Sequence, residues 1–129
     1  MKKIIPFLPP VIYYAVIFYL SSRSYFPVAA PFGGFDKIVH AVEFGGLGFL
    51  LARALAKGFK SPRRKTFLVV FLLGAGLGLL DECHQYFVPG RSADLLDAAM
   101  DAVGIAAGMV AFLWIRRRLA PKVKNRSRS

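Results

Sequence analysis

The chain has 129 residues, of which 56% are hydrophobic, and its formal net charge is +11. This length fits a single domain, and the high apolar content excludes a disordered chain. The single cysteine, Cys83, excludes an intramolecular disulfide framework. A small, basic and strongly apolar chain is typical of a membrane protein or a nucleic-acid-binding protein, and the positions of its charges decide between these two classes.

The basic residues fall into three blocks that are separated by long apolar stretches. The blocks lie at residues 2–3, 53–65 and 116–128, and they hold 15 of the 18 Lys and Arg residues. A helix that spans a membrane needs about 20 predominantly apolar residues. The pattern therefore predicts an all-α, polytopic membrane protein, a four-transmembrane-helix bundle within one domain, residues 1–120. The predicted helices cover residues 4–22, 36–56, 66–87 and 95–116.

Two alternatives compete with this topology. A soluble bundle of short buried helices would need more polar surface than the sequence offers. A cleaved signal peptide would combine Lys2 and Lys3 with the first apolar run and a small-residue site near residues 28–30. The run is long for a signal peptide and three prolines interrupt its start, so an uncleaved first helix is the preferred prediction.

The charge distribution also predicts how the helices are oriented. Loops that are rich in Lys and Arg stay in the cytoplasm, and all three basic blocks lie on one side of a four-helix topology. Both termini and the middle loop are therefore expected to be cytoplasmic. The tail, residues 121–129, is predicted to be disordered and to contact anionic lipid headgroups of the bilayer, and nucleic acid is not expected as a partner.

All seven acidic residues lie toward the opposite, extracytoplasmic ends of the second, third and fourth predicted helices. Helical spacing aligns most of them, with two other polar residues, on one face of each helix. The aligned residues are Asp36, His40 and Glu43 on the second helix, Asp81 and Gln85 on the third, and Asp94, Asp97 and Asp101 on the fourth. Glu82 is turned about 100° away from Asp81. Ionisable residues within a membrane usually face the bundle interior and mark a functional site.

These faces supply the candidate site residues. Carboxylates and imidazole carry protons, and the candidate catalytic residues are His40, Glu43, Asp81, Glu82 and Asp97. Cationic and amide side chains hold anions, and the candidate substrate-binding residues are Lys37, Gln85 and Arg91, with Asp36 beside them. Oxygen ligands suit a divalent metal such as Mg²⁺, and the candidate ligands are Asp81, Glu82 and Asp101.

A purely structural ion-pair network is the competing interpretation of the same residues, with Lys37 and Arg91 as its counterions. Arg91 follows a Pro-Gly turn just before the fourth helix. The N–H groups at a helix N-terminus favour an anion, so Arg91 is predicted either to bind an anionic ligand or to form a salt bridge with Asp94 or Asp97.

Glycines are closely spaced in three of the predicted helices. Small residues let membrane helices approach one another, so these glycines predict bundle packing rather than a phosphate-binding loop. They are Gly45 and Gly48 in the second helix, Gly74, Gly76 and Gly78 in the third, and Gly104 and Gly108 in the fourth.

Several of these stretches resemble the VanZ-like family of bacterial membrane proteins. The matching motifs are DKIVH at 36–40 with LGFL at 47–50, DECHQ at 81–85, and FVPGR at 87–91 followed by Asp97, Gly104 and Gly108. Position 101 is Asp where many members have Asn. The resemblance covers about residues 36–108, and Cys83 and His84 fall at variable positions. It implies a bacterial plasma-membrane protein of the cell envelope, in a family whose namesake is linked to teicoplanin resistance, but it assigns no reaction.

Three functions fit the sequence, and it leaves open whether the protein is an enzyme. The preferred hypothesis is a site that binds or acts on an anionic lipid-linked envelope component, such as a polyprenyl phosphate or a phospholipid. An accessory protein that shields an envelope precursor from antibiotic is the alternative. A proton-coupled transporter is less favoured, because residues 66–80 contain no ionisable side chain.

Overall fold

The computed structural model describes residues 3–24, 29–59 and 63–120, and in this part of the chain the secondary structure is entirely helical. A 3-10 turn at Ile5–Phe7 precedes four helices. These are α1 (Leu8–Ser21), α2 (Phe35–Phe59), α3 (Arg63–Tyr86) and α4 (Leu95–Leu119). The tail predicted to be disordered, residues 121–129, lies outside the described residues.

Three of these helices are long and apolar enough to cross a membrane. The spans are Phe35–Phe59, Arg64–Tyr86 and Leu95–Leu119. The predicted second, third and fourth helices are therefore confirmed, and each extends a few residues further at its basic end. Their outer surfaces carry exposed aliphatic side chains: Val42, Leu72 and Val110 are 67%, 61% and 56% exposed. Apolar residues all around a helix are typical of a bundle surrounded by lipid.

The first predicted helix is shorter than expected. The sequence predicted a span over residues 4–22, whereas α1 has 14 residues, about 21 Å at 1.5 Å per residue. Pro6, Pro9 and Pro10 lack the N–H group that a helix interior needs, so the chain begins with a 3-10 turn and becomes α-helical only at Leu8. The turn and α1 together form a shorter apolar helix, Ile5–Ser21.

Helices α2 and α4 pack backbone against backbone. A Cβ atom added to Gly108 would collide with the carbonyl oxygen of Gly45, and one added to Gly104 would collide with that of Ala41. A Cβ atom on Gly48 would meet the backbone of Ile105. Interlocking small residues of this kind are the usual means of close helix packing in membranes.

Helix α3 packs on α4 through two further glycines. A Cβ atom on Gly74 would meet the side chain of Ile105, and one on Gly78 would lie 2.9 Å from the Cβ of Asp101. The core around these contacts is apolar, and Phe44, Leu47 and Met109 are fully buried in it. Asp101 therefore lies at the boundary between the apolar core and the polar end of the bundle.

Helix α1 and the turn before it run along α2 and α3. At their start, the ring of Phe7 lies 5.8 Å from that of Phe59 at the end of α2. At the other end, Ser21 donates a hydrogen bond to Asp81. Near the middle, the Tyr14 hydroxyl donates to the carbonyl oxygen of Leu77. The segment thus extends from the basic end of the bundle to the level of Asp81, five residues before the end of α3.

We predict that Gly108→Ala destabilises the bundle. Its methyl group has no room against the Gly45 backbone, and overpacking a tight interface typically lowers the free energy of unfolding by about 1–3 kcal/mol. The thermal unfolding midpoint in detergent measures the effect. Gly76→Ala is the matched control, because a Cβ atom there meets nothing within 4 Å. Equal midpoints for the two variants would contradict the described packing of α2 and α4.

Candidate functional site

The buried polar residues converge at the end of the bundle where α1 and α3 finish and α2 and α4 begin. They come from all four helices, although the sequence indicated contributions from only three. The buried polar side chains at this end are Ser21, His40, Asp81, Glu82, Gln85, Asp97 and Asp101.

His40, Glu82 and Asp101 form the centre of the cluster, and each comes from a different helix. The His40 Nδ1–H group donates to Asp101 Oδ1 at 2.9 Å, with the ring proton assigned from this contact. His40 Nδ1 also lies 3.9 Å from Glu82 Oε1. All three side chains are at least nine-tenths buried. One ligand atom from each residue lies within 4.8 Å of the other two.

Asp81 belongs to a separate part of the cluster that faces α1. Its Oδ2 atom accepts hydrogen bonds from Ser21 Oγ at 2.7 Å and from Gln85 Nε2 at 3.0 Å. The sequence grouped Asp81 with Glu82 and Asp101 as metal ligands, but the geometry groups His40 with those two instead. The sequence did not indicate Ser21 as a site residue, because a serine at the end of an apolar stretch is equally typical of the end of a helix.

Lys37 organises the acids at the start of α4. Its Nζ atom donates to Asp94 Oδ2 at 2.8 Å and to Asp97 Oδ1 at 2.9 Å, and it lies 3.6 Å from Asp36 Oδ2. The cation that pairs with Asp94 and Asp97 is therefore Lys37, one of the two counterions that the sequence offered. Arg91 instead donates from Nε to the carbonyl oxygen of Arg23 at 3.1 Å.

Asp94 connects the ion pair to the buried cluster. Its side chain caps α4 by accepting the Leu96 N–H group at 2.8 Å. Its own backbone N–H group donates to Glu82 Oε2, also at 2.8 Å. The hydrogen bond from Lys37 is the main reason that the pKa of Asp94 lies below its usual value, and the Leu96 N–H group adds to the effect. The charged Asp94 side chain therefore both pairs with Lys37 and caps α4.

A cavity of about 230 Å³ opens beside the cluster, between α1, α2 and α3. Much of its wall is apolar, including Leu20, Phe35 and Val39. Its polar lining consists of Ser21, Asp36, His40, Glu43, Gln85 and Arg91. Five of the candidate residues from the sequence thus line the cavity, and Asp81 is connected to it through its hydrogen bond from Gln85.

Three buried carboxylate oxygens accept no hydrogen bond within the described part of the chain. They are Asp81 Oδ1, Glu82 Oε1 and Asp101 Oδ2. Leaving such an atom unsatisfied costs roughly 1–3 kcal/mol, so each orphan oxygen requires a physical explanation. Glu82 and Asp101 lie together at the centre of the cluster, and their unsatisfied oxygens indicate a site arranged for a ligand or for protons.

His84 and Cys83 lie outside the cluster. The His84 ring stacks on Phe18 at 4.1 Å, and its Nε2 atom lies 2.8 Å from Ser22 Oγ. These contacts attach α3 to the end of α1. Cys83 is exposed on the outer surface.

The family model of VanZ/LLP1 matches residues 3–116. The chain belongs to this family. The match extends the resemblance of residues 36–108 to α1 and to most of α4, so the segment that supplies Ser21 is part of the family domain. No curated protein and no solved structure matches the chain.

We predict that Lys37→Met lowers the thermal unfolding midpoint in detergent. The substitution leaves Asp97, which is 8% exposed, without its cation, and uncompensated buried charge destabilises the fold. Adding Asp97→Asn to Lys37→Met should restore part of the loss. Lys57→Met is the control, because Lys57 is exposed at the other end of the bundle. A midpoint for Lys37→Met equal to that of Lys57→Met would contradict this role.

The same ion pair has a defined pH dependence. Because the folded pKa of Asp94 is depressed, its stabilising contribution is complete above the unfolded carboxylate pKa of about 4 and is lost as the pH falls through the folded value. The midpoint of Lys37→Met should therefore fall less steeply than that of the wild type on acidification below about pH 4.

Proposed function

We propose that this VanZ/LLP1 family protein is a four-span plasma-membrane protein whose extracytoplasmic cavity binds an anionic lipid-linked component of the cell envelope. The observation that carries the proposal is the cavity itself. It joins an apolar wall to a guanidinium group, a histidine and carboxylates at one end of an apolar bundle.

The four-span topology is supported by the position of α1. The segment Ile5–Ser21 is about 26 Å long at 1.5 Å per residue if fully helical, near the lower limit for a span. Its two ends contact Phe59 and Asp81, which lie near opposite ends of the bundle. An apolar segment that extends from the basic end of the bundle to the level of the acidic cluster crosses most of the layer that its longer neighbours span.

The orientation is supported by the separation of charge along the bundle. Arg53, Lys57 and Arg116 line a surface at the end opposite the acidic cluster. At this end the Arg118 guanidinium also lies 5.1 Å from the Trp114 ring centre, an arrangement that suits a membrane interface. The positive-inside rule assigns the basic end to the cytoplasm, so the termini are cytoplasmic and the cavity opens to the outside.

The cavity offers apolar surface and charged groups, which match the hydrocarbon chain and the headgroup of an anionic lipid. Leu20, Phe35 and Val39 offer apolar surface to an acyl or prenyl chain, while Arg91 offers a charged fork to a phosphate. His40 and Glu43 lie on the same wall and are suited to proton transfer near a bound headgroup. An envelope lipid as ligand also accommodates the teicoplanin link of the family's namesake.

A proton-coupled conduit is less well supported. The ionisable cluster is confined to one end, and α3 between Thr66 and Leu80 has no ionisable side chain. An ion pathway needs polar groups through the full depth of the membrane.

Native mass spectrometry in mild detergent tests the binding proposal. The wild type should retain an anionic lipid. The Arg91→Gln variant should retain at least about tenfold less of it, because a hydrogen bond to a charged group contributes roughly 1.5–3 kcal/mol. The mass of the retained molecule distinguishes a phospholipid from a polyprenyl phosphate. Arg64→Gln is the matched control, since Arg64 is exposed at the basic end of α3.

Two outcomes would contradict the proposal. Equal lipid retention by the wild type, Arg91→Gln and Arg64→Gln would show only the nonspecific annular lipid of any membrane protein. Wild-type protein free of lipid would favour the accessory function, in which a partner protein rather than a lipid occupies the outward face.

A further inference from the structure

Three ligand atoms meet in the buried cluster at a spacing that suits a metal ion. The ligand atoms of His40, Glu82 and Asp101 lie within 4.8 Å of one another. Two ligands bound at right angles to one metal at about 2.1 Å are about 3.0 Å apart. The separation of His40 Nδ1 from Asp101 Oδ1 is 2.9 Å. The separation of His40 Nδ1 from Glu82 Oε1 is 3.9 Å, which corresponds to a wider angle.

Each of the two carboxylates also has an oxygen without a hydrogen-bond partner in the described part of the chain. Glu82 Oε1 and Asp101 Oδ2 are buried without a hydrogen bond, on side chains that are 7% and 0% exposed. The other oxygen of Glu82 is held by the backbone N–H group of Asp94. This contact fixes the carboxylate and leaves Oε1 directed toward His40. A second group that orients a ligand in this way is a regular feature of metal sites.

The charge of the cluster also favours a cation. Glu82 and Asp101 are both buried acids, and Lys37 is engaged by Asp94 and Asp97. A divalent ion would neutralise the two carboxylates, with His40 as a neutral ligand whose ring proton is on Nε2. Carboxylates that remain charged in a medium of low dielectric need compensation of this kind.

We propose that His40, Glu82 and Asp101 bind one divalent transition-metal ion of the class of Zn²⁺ or Mn²⁺. One imidazole nitrogen among the ligands disfavours Mg²⁺ and Ca²⁺, which take oxygen ligands. Three protein ligands leave at least one position open, as in catalytic rather than structural sites. Because His40 also lines the cavity, the open position is accessible to water or to a phosphate oxygen.

The packing of Asp101 supports a preformed site. Its Cβ and Oδ2 atoms lie directly over Gly78, one helical turn before Glu82 on the same face of α3. Any side chain at position 78 would displace the Asp101 carboxylate. Gly78→Ala is therefore a variant that shifts a ligand without removing it.

Metal binding is testable without any lipid, so it stands or falls independently of the proposed ligand of the cavity. Full-length protein in mild detergent is stripped with a chelator and titrated with Zn²⁺, Mn²⁺ or Mg²⁺, and the bound metal is counted by elemental analysis. We expect one Zn²⁺ or Mn²⁺ per chain, competing for a single site that excess Mg²⁺ does not occupy.

Substitutions at the ligands identify the site. Glu82→Gln and Asp101→Asn should weaken binding by about 100-fold or more, and Gly78→Ala by about tenfold, since changes in supporting groups alone weaken metal sites by 10–100-fold. His84→Gln is the control, because this side chain stacks on Phe18 outside the cluster, and it should bind as the wild type does. Unchanged affinity in both ligand variants would overturn the proposal.

A spectroscopic measurement on the wild type covers the case in which the ligand variants fail to fold. Pulsed electron paramagnetic resonance of the Mn²⁺-loaded protein should show coupling to one imidazole nitrogen that changes on labelling with ¹⁵N-histidine. The coupling should persist in His84→Gln, because His84 packs outside the cluster. Stoichiometric Mn²⁺ without nitrogen coupling, or wild-type protein that binds neither metal, would also overturn the proposal.

Discussion

Helices α2 and α4 touch through their backbones, and the polar site depends on this contact. Gly104 lies three residues after Asp101, and it packs on Ala41, the residue that follows His40. The glycine contact therefore fixes the distance between the two helices within one turn of the pair formed by His40 and Asp101. Lipid provides no hydrophobic drive for helices to associate. Close van der Waals packing between small residues is consequently both the source of stability and the determinant of site geometry.

The direction of the helices explains how seven acids are tolerated at one end of the bundle. The N-termini of α2 and α4 lie at this end, and the partial positive charge of a helix N-terminus stabilises nearby carboxylates. Lys37 adds a full positive charge between Asp94 and Asp97. Farther from solvent, where neither effect is sufficient, Glu82 and Asp101 retain unsatisfied oxygens. Asp81 also retains one, beside Ser21 and Gln85, whereas Glu82 and Asp101 lie next to His40 in an arrangement that suits a metal or proton site.

Part of this arrangement was predictable from the sequence, because it follows from charge position and apolar length. The spans α2, α3 and α4 and the convergence of their acidic ends needed only the spacing of charged residues and the helical repeat. The rotation of α3 was not predictable in this way. Asp81 and Glu82 point about 100° apart, and both are buried because α1 covers one face of α3 while α4 covers the other.

Other features depended on contacts that no local pattern encodes. The sequence offered both Lys37 and Arg91 as cations for the acids, and only the packing of α2 against α4 shows that Lys37 reaches Asp94 and Asp97. The sequence indicated only helix packing for Gly78. Its contact with Asp101 joins residues 23 positions apart, so no local pattern in the sequence reveals it. The predicted length of α1 was too great because its start was placed directly after the last charged residue. The prolines in this segment lack backbone N–H groups, and they delay the start of the α-helix.

We propose that this polar site faces the outside of the plasma membrane. Labelling with a membrane-impermeant maleimide in cells with an intact plasma membrane tests it most directly, with Cys83→Ser as the background. Ser92→Cys places a thiol in the exposed connection between α3 and α4, beside the cluster, and Lys57→Cys places one at the basic end. We expect Ser92→Cys to be labelled in intact cells and Lys57→Cys to be labelled only after permeabilisation. The reverse pattern would place the site in the cytoplasm and contradict the proposed orientation.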